Sequence, residues 1–475
     1  MTTATETHFD VVVIGAGAVA ENVAERIVQG GLTAAVVESE LVGGDCSYWA
    51  CMPSKTLIRS GMALRAAQRV GGAAEAVTGD LDVAAVLARR NSFTHDWDDQ
   101  SQVGWLDGAG IALVRGHGRL SGTREVTVTS GDGTTTVLMA THAVVVCTGS
   151  DPLLPDIQGL KHSRPWTARD ATSAQAAPAS LAIIGGGVVA VEMATAYVSF
   201  GTAVTIIARS GLLNGQEDFA GDMVATRLRE LGVEIRKASP TKVESTPDGF
   251  AITVDGEVVQ AEKLLIATGR VPRSSDIGME VVGLTPGDWI EVDDTLKVMG
   301  SDWLYAAGDV NHRALLTHQG KYQARAAGGA IVARALGNTV DDQPWGTHVA
   351  TADHEAVPQV TFSEPEVASV GLTSTAARDA GYDIRIVDYR LGDVAGASLL
   401  ADGYKGQARM VVDEKRRVIL GVTFVGQDVS ELIQAATIAI VGQVPIDRLW
   451  HAVPAYPTMS EIWLRLLETY GRPGD

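Results

Sequence analysis

Apolar and polar positions follow two different periods along the chain, and the switches between them mark its elements. Phe9 to Ile14 is a continuous β-branched run, the pattern of a strand covered on both faces. The turn Gly15-Ala16-Gly17-Ala18-Val19-Ala20 follows, and from Glu21 to Val28 apolar residues recur at helical spacing. A second strand, Thr33 to Val37, ends at Glu38. Strand, glycine turn, helix and strand, with an acid roughly 20 positions past the turn, form a βαβ unit suited to a dinucleotide. The pattern returns at Leu181 to Ile184, the turn Gly185-Gly186-Gly187-Val188-Val189-Ala190, a helix from Val191 to Phe200 and a strand from Val204 to Ile207. A lone glycine turn is weak evidence, whereas two in this context point to two dinucleotide sites. Ala20 and Ala190 stand at the third glycine position, which serves helix–strand packing and tolerates alanine.

Two strand ends look alike, Val145-Val146-Cys147-Thr148-Gly149-Ser150 and Leu265-Ile266-Ala267-Thr268-Gly269-Arg270, and mark where the chain crosses between nucleotide domains. Trp303 to Asp309 is a further strand ending in Gly-Asp. From about Val349 the texture changes. Alternating runs at Gln407 to Val412 and Val418 to Val425 predict an antiparallel sheet, with helices at Asp428 to Val441 and Ser460 to Tyr470. The expected fold is α/β, with two Rossmann-like dinucleotide-binding domains and a C-terminal α+β domain. The boundaries are 1–150 for the first nucleotide domain, 151–269 for the second, 270–348 for a return to the first, and 349–475 for the C-terminal domain.

At 475 residues the chain is too long for a single core, which agrees with several domains. Its formal net charge of −19 disfavours nucleic acid and anionic membrane, since both call for basic patches. No uninterrupted apolar stretch is long enough to span a bilayer. Met1 to Asp10 is polar and acidic, without the basic and apolar regions of a secretory leader, so a cytoplasmic location is expected. Three cysteines cannot build a disulfide framework, so a close pair reads as catalytic or metal-binding.

Each glycine turn lets backbone approach a pyrophosphate at a helix N-terminus, where unpaired N–H groups and the dipole favour anions. Glu38 can accept from both ribose hydroxyls, which suits FAD or NAD. After Val204 to Ile207 there is no carboxylate. Arg209 stands there instead and can meet a 2′-phosphate, favouring NADPH over NADH; otherwise it is a solvated surface charge.

The segment Gly43-Gly44-Asp45-Cys46-Ser47-Tyr48-Trp49-Ala50-Cys51-Met52-Pro53-Ser54-Lys55 is the most specific signal. Five residues of regular helix rise about 7.5 Å, and a disulfide wants Cα atoms roughly 4.4–6.8 Å apart. Cys46 and Cys51 can therefore bridge only across a distorted first turn, where strain eases reduction and the helix N-terminus acidifies a thiol. Two thiols without further ligands make no metal site, so no metal is expected. Cys147 reads as a core residue. Tyr48 and Trp49 leave two readings open, narrowing access to Cys46 or packing the interior.

These motifs resemble the pyridine nucleotide-disulfide oxidoreductases, the family of dihydrolipoamide dehydrogenase, glutathione reductase and mercuric reductase. The resemblance runs over nearly the whole chain. It covers both glycine turns, the Gly-Gly-x-Cys-x4-Cys-x-Pro-Ser-Lys segment, Ala267 to Arg270, Ala307 to Asp309, Phe362 to Gly371 and Pro457 to Glu461. It implies that Cys51 lies nearest the flavin and Cys46 attacks substrate, that Lys55 and Glu192 pair beside the flavin, and that Asp309 binds the ribityl chain. Gly15, Gly17, Ala20, Glu38, Gly44, Lys55, Gly149 and Asp309 are then the FAD candidates. Gly185, Gly187, Arg209, Gly269 and Arg270 complete the cofactor-binding set. The C-terminal domain resembles the family's dimerisation domain, implying a homodimer in which Tyr456 and Glu461 complete the partner's site.

One departure matters. The family's disulfide reductases carry His where this chain has Tyr456, while Glu461 remains. Histidine titrates near 6.5 and shuttles protons between thiols; tyrosine titrates near 10 and donates a hydrogen bond instead. His451 is a second candidate for the missing role. Mercuric reductases are similar in placing Tyr near this point and in Ile207-Ala208-Arg209-Ser210. The chain, however, ends Gly471 to Asp475 without a cysteine pair and shows no N-terminal metal-carrier segment. The expected activity is transfer of reducing equivalents from NADPH through FAD and Cys46–Cys51 to an oxidised, disulfide-type small molecule. The alternative is a metal-ion or quinone reductase, whose acceptors need no thiol protonation. A non-catalytic flavin-bound sensor fits poorly with a complete nicotinamide turn.

Overall fold

The structure, a computed structural model, describes residues 5–472. The chain separates into two compact units. One comprises residues up to Pro53, Asn91–Leu153 and Arg270–His354; the other comprises Ser54–Arg90, Leu154–Gly269 and Glu355 onward.

The first unit is built on a seven-stranded sheet. Strands Ala112–Arg115, Ala34–Glu38, Thr5–Ile14 and Thr135–Val146 run parallel in that order, and Glu125–Thr129 and His117–Gly122 continue it antiparallel. Leu304–Ala306 pairs parallel with Thr135–Val146. The apolar run that starts the chain has its expected cause. Val11 and Val13 pack with Ala20, Ala24 and Ile27 of the helix Ala18–Gln29 on one face, while Val12 and Ile14 face Val126, Val144 and Leu304 on the other. A strand covered on both faces has no polar side, so alternation disappears.

The second unit contains a four-stranded parallel sheet in the order Glu234–Arg236, Ala203–Ile207, Ser180–Ile184, Lys263–Ile266, beside a three-stranded antiparallel sheet. The helix Val188–Ser199 is buried from Ala190 to Tyr197, which explains its predominance of small and apolar residues. A five-stranded antiparallel sheet, order Gln359–Thr361, Glu366–Gly371, Val418–Gly426, Gln407–Asp413, Ile384–Arg390, carries the C-terminal helices. The helix expected over Asp428 to Val441 starts later, as a 3-10 turn at Ser430–Leu432 and an α-helix at Ile433–Val441. The last helix is Ile462–Tyr470, preceded by a 3-10 turn at Met459–Glu461. No helix among the described residues is long and apolar enough to cross a membrane. The tail Pro473 to Asp475, part of the segment read as lacking a cysteine pair, lies outside the described residues, as do Met1 to Ala4.

Candidate active site

Gly43 adopts φ 107°, a conformation that favours glycine, and opens the short helix Gly44–Tyr48. Trp49 leaves helical geometry at φ −136°, and Cys51 begins a new helix, Cys51–Ala67. The distortion expected across the cysteine pair is thus a break between two helices, which brings the thiols within hydrogen-bonding reach of each other. Both are present as thiols. Cys51 Sγ lies 3.2 Å from Thr317 Oγ1, at the start of the helix Thr317–Ala335. The Cys51 sulfur, followed by burial, drives the Cys46 thiol well above its ordinary value, with Thr317 and Lys321 pulling the other way. Tyr48 is fully buried, its hydroxyl donating 3.4 Å to the Asp98 carbonyl, and Trp97 Nε1 donates 3.1 Å to the Tyr48 carbonyl. Tyr48 therefore packs the interior and braces the break. Burial pushes the buried Cys147 thiol up to about 12, as suits a core residue.

The first glycine turn has the shape its residue types require. Gly15 sits at φ 101°, and a Cβ there would lie 2.6 Å from the Cys147 carbonyl oxygen. Around Gly17 the space is open, the nearest atom to a Cβ being 3.9 Å away, and the N-terminus of Ala18–Gln29 has no side-chain cap. Ala20 is fully buried, the packing role of the third position. Glu38 accepts from the Ala16 N–H and the Glu40 N–H at 2.8 Å each, one on each oxygen, leaving lone pairs for two hydroxyls. Gly44 lies against Gly17, where a Cβ would come within 2.9 Å of the Gly17 Cα. Asp309 accepts from Ser150 Oγ at 2.6 Å. Arg270 donates to the Ser150 hydroxyl and carbonyl at 2.5 Å each and lies 3.4 Å from Asp45 and 3.6 Å from Asp309. Gly149, at φ 77°, precedes this cluster. The open cap, the carboxylate at the second strand and the Ser150–Asp309–Arg270 cluster fit an adenine dinucleotide with a polyol arm.

In the second unit, Gly185 repeats the geometry of Gly15, with φ 129° and its Cβ direction blocked by the Ala267 carbonyl. Nothing lies within 4 Å of a Cβ at Gly187. The turn after Ala203–Ile207 folds back so that Leu213 N–H donates 2.8 Å to the Gly186 carbonyl. Arg209 lies exposed in that turn, without an ion pair among the described residues. Gly269, at φ 132°, follows the matching strand Lys263–Ile266. Lys55 Nζ lies 2.8 Å from Glu192 Oε2, and Glu192 is buried at 3% exposure. The other Glu192 oxygen accepts from the Phe362 N–H at 3.1 Å, and Lys55 lies 5.0 Å from the Phe362 ring centroid. A buried carboxylate with each oxygen engaged is a fixed charge, not a surface accident.

Tyr456 is 76% exposed, and His451 is exposed as well. Glu461 is buried, with one oxygen accepting from Arg465 at 2.5 Å and the other, Oε2, buried without a hydrogen-bond partner. No hydrogen bond joins Tyr456 to Glu461 among the described residues. Sequence reasoning passed over Thr317, Ser150, Phe362, Glu21 and Lys321. Of these, only Glu21 left a signal, a carboxylate opening a helix that packs in the core.

Residues 9–328 match the sequence pattern of the pyridine nucleotide-disulphide oxidoreductases, and residues 357–466 match that of their dimerisation domain. The chain is 31% identical to a mercuric reductase of Shigella flexneri over 461 residues, covering 95% of this chain and 79% of that one. It is 29% identical to a dihydrolipoyl dehydrogenase of Geobacillus stearothermophilus, covering 97% and 95%. Among solved structures, the Cu(II) complex of the HOCl-induced flavoprotein disulfide reductase RclA from Escherichia coli superposes with a TM-score of 0.83 at 23% identity, over 97% and 99% of the two chains. LpdA from Mycobacterium tuberculosis superposes with 0.82 at 24%, over 98% and 99%. At these identities the structures speak to the fold.

Proposed function

The chain belongs to the pyridine nucleotide-disulphide oxidoreductases, flavoprotein enzymes acting on a sulfur group of donors with NAD(P) as acceptor, and from that premise we propose an NADPH-dependent disulfide reductase working through Cys46 and Cys51. The observation that carries this reading is the break between the helices Gly44–Tyr48 and Cys51–Ala67, which brings Cys46 and Cys51 within hydrogen-bonding reach of each other.

FAD is held by the turn Gly15 to Ala20, Glu38, Gly44, Gly149 and Asp309, and when bound it supplies the two-electron chemistry between nicotinamide and sulfur. Gly185, Gly187, Gly269, Arg270 and Arg209 serve the pyridine nucleotide, with Arg209 meeting a 2′-phosphate. Lys55, held by Glu192, contributes a positive charge one helical turn after Cys51. In the reduced pair, Cys51 carries the thiolate and Cys46 the proton. Cys46 gives up that proton and its sulfur attacks a disulfide R–S–S–R′; the S–S bond breaks and one thiolate leaves. Cys51 then attacks Cys46, the enzyme disulfide re-forms, and the second thiolate departs, the two products sharing the Cys46 proton and one from solvent. Tyr456, a phenol, donates a hydrogen bond to a leaving thiolate but does not act as a base near neutral pH. The working form is a homodimer in the cytoplasm, with Tyr456 and Glu461 completing the partner's site.

A second reading, reduction of a metal ion or quinone, is favoured by one observation. The residue in the histidine's place is an exposed tyrosine, and such acceptors need no base. The names of the mercuric reductases and the Cu(II) complex of RclA are in keeping with it. An anaerobic preparation reduced with NADPH and offered lipoamide, glutathione disulfide, Hg(II), Cu(II) and a quinone decides between them. Turnover confined to the disulfides supports the first reading. Turnover confined to metals or quinone, or retained in Cys46→Ser, defeats it.

A further inference from the structure

Two charged residues in the first unit stand where the proposed mechanism does not use them. Glu21 lies in the first turn of Ala18–Gln29, and Lys321 follows Thr317 by one turn at the start of Thr317–Ala335. These turns are in contact: a Cβ at Gly320 would meet Val19 Cγ2 at 2.5 Å. The same turn presents Thr317 to Cys51 at 3.2 Å. Lys321 is within electrostatic reach of both Glu21 and Cys46, and its charge lowers the pKa of each. Glu21 Oε1 is buried without a hydrogen-bond partner among the described residues, so no hydrogen bond to that oxygen supports its ionised form.

We propose that the charges of Glu21 and Lys321 together set the protonation of Cys46, Lys321 favouring the thiolate and Glu21 determining how much of the Lys321 charge Cys46 experiences. They are positioning residues, acting through the field at Cys46, and the proposal rests on the redox role given to the cysteine pair above. Charge in a poorly solvated site is weakly screened, so one neighbouring charge shifts a thiol by on the order of one pKa unit or more. Burial raises the Glu21 carboxyl to about 7, with Lys321 opposing. Below that pH Glu21 is neutral and Cys46 experiences the whole Lys321 charge. Above it Glu21 is ionised and the charge is compensated. The other groups facing the cluster do not reproduce this. Tyr48 is pushed to about 12 by burial and by Asp99, Glu21 and Asp98. Asp99 is tied to Arg115 at 2.6 Å. Around Cys46 stand Cys51, Thr317 and Lys321. Glu21 is the group here that changes charge near neutral pH, a property the missing histidine would otherwise bring.

The test is the pH dependence of Cys46 alkylation by iodoacetamide in the FAD-loaded protein reduced anaerobically with NADPH, read by peptide mass spectrometry. The parent is expected to show an inflection near pH 7 besides the intrinsic thiol titration. Glu21→Gln is expected to remove that inflection and speed alkylation at pH 8 several-fold. Lys321→Met is expected to slow alkylation at pH 7 by about tenfold, one pKa unit. Lys321→Arg, which keeps the charge, is expected to retain the parental profile. Should NADPH expose no alkylatable Cys46, the redox role itself fails and this inference with it. Should Cys46 become alkylatable but the parent profile follow a single thiol titration, the inference alone is overturned. Glu21→Gln and Lys321→Met moving the profile in the same direction, or not at all, would overturn it too, even if both variants keep their flavin.

Discussion

In the function proposed above, the choice of pyridine nucleotide rests on one side chain, Arg209. It lies exposed in a turn fixed to the second glycine turn by the Leu213–Gly186 hydrogen bond, so the backbone positions it while its guanidinium stays available. A hydrogen bond to a charged group contributes about 1.5–3 kcal/mol, so Arg209→Glu should lower kcat/KM for NADPH by roughly ten- to a hundredfold and leave NADH little changed or improved. Steady-state kinetics with both nucleotides measure this directly; equal preference in the parent would make Arg209 a bystander. The place of Arg209 just past a strand was readable from sequence, and the structure has it exposed there. Lys55 and Glu192 were not readable from local pattern. They stand 137 residues apart, each is an ordinary charge in its own stretch, and the family resemblance alone suggested the pair. Thr317 and Lys321 escaped for the same physical reason: a contact made by tertiary packing leaves no periodicity.

At the scale of elements, the two βαβ units were legible because burial on both faces erases alternation and a glycine turn interrupts it sharply. The ends of helices were less so. Val188 and Val189 belong to the helix although it was expected from Val191, since its apolar residues run on through the turn. The helix break at Trp49 and Ala50 was foreseeable as a need of the cysteine spacing but not as two separate helices. Glu364, quoted only as part of a motif, turns out to hold elements together. It is 3% exposed and accepts from Arg65 at 2.6 Å and Arg227 at 2.7 Å, tying the Cys51–Ala67 helix to Asp218–Glu230. Burial raises its pKa, but Arg65 and Arg227 outweigh burial and hold it below the usual carboxylate value. The folded value is thus lower than the unfolded one, so its stabilisation is complete above the ordinary carboxylate range and disappears as pH falls through the folded pKa. Glu364→Gln should destabilise by about 3–5 kcal/mol at pH 7, and the gap to the parent should shrink on acidification. Thermal unfolding at pH 7 and near pH 3 checks both statements; a gap that is constant with pH would show that the carboxylate's charge is not what matters.

For the whole molecule, the second unit leaves apolar side chains on its C-terminal surface that a lone chain has no use for. Ile438 is 61% exposed, Leu399 70%, Val453 84% and Tyr456 76%, all within or beside residues 357–466, the match to the dimerisation domain. The match to a dimerisation domain accounts for apolar residues this exposed, so light scattering should give about twice the chain mass of 49.8 kDa. Ile438→Glu places a charge on the outward face of Ile433–Val441 and should shift the population toward monomer. If Tyr456 reaches the active centre of the partner, that variant should also lose most turnover while keeping its flavin, because each site would lack the other chain's tyrosine. The substitutions at Tyr456 then separate two roles. Tyr456→His restores a group titrating near 6.5 and should raise turnover of small disulfides near neutral pH. Tyr456→Phe removes only the phenol and should slow the true acceptor by on the order of tenfold, the value of about one hydrogen bond. Dimer disruption without loss of turnover, together with unchanged rates in both Tyr456 variants, would place Tyr456 on the surface alone. The protonation of Cys46 would then be governed wholly within one chain.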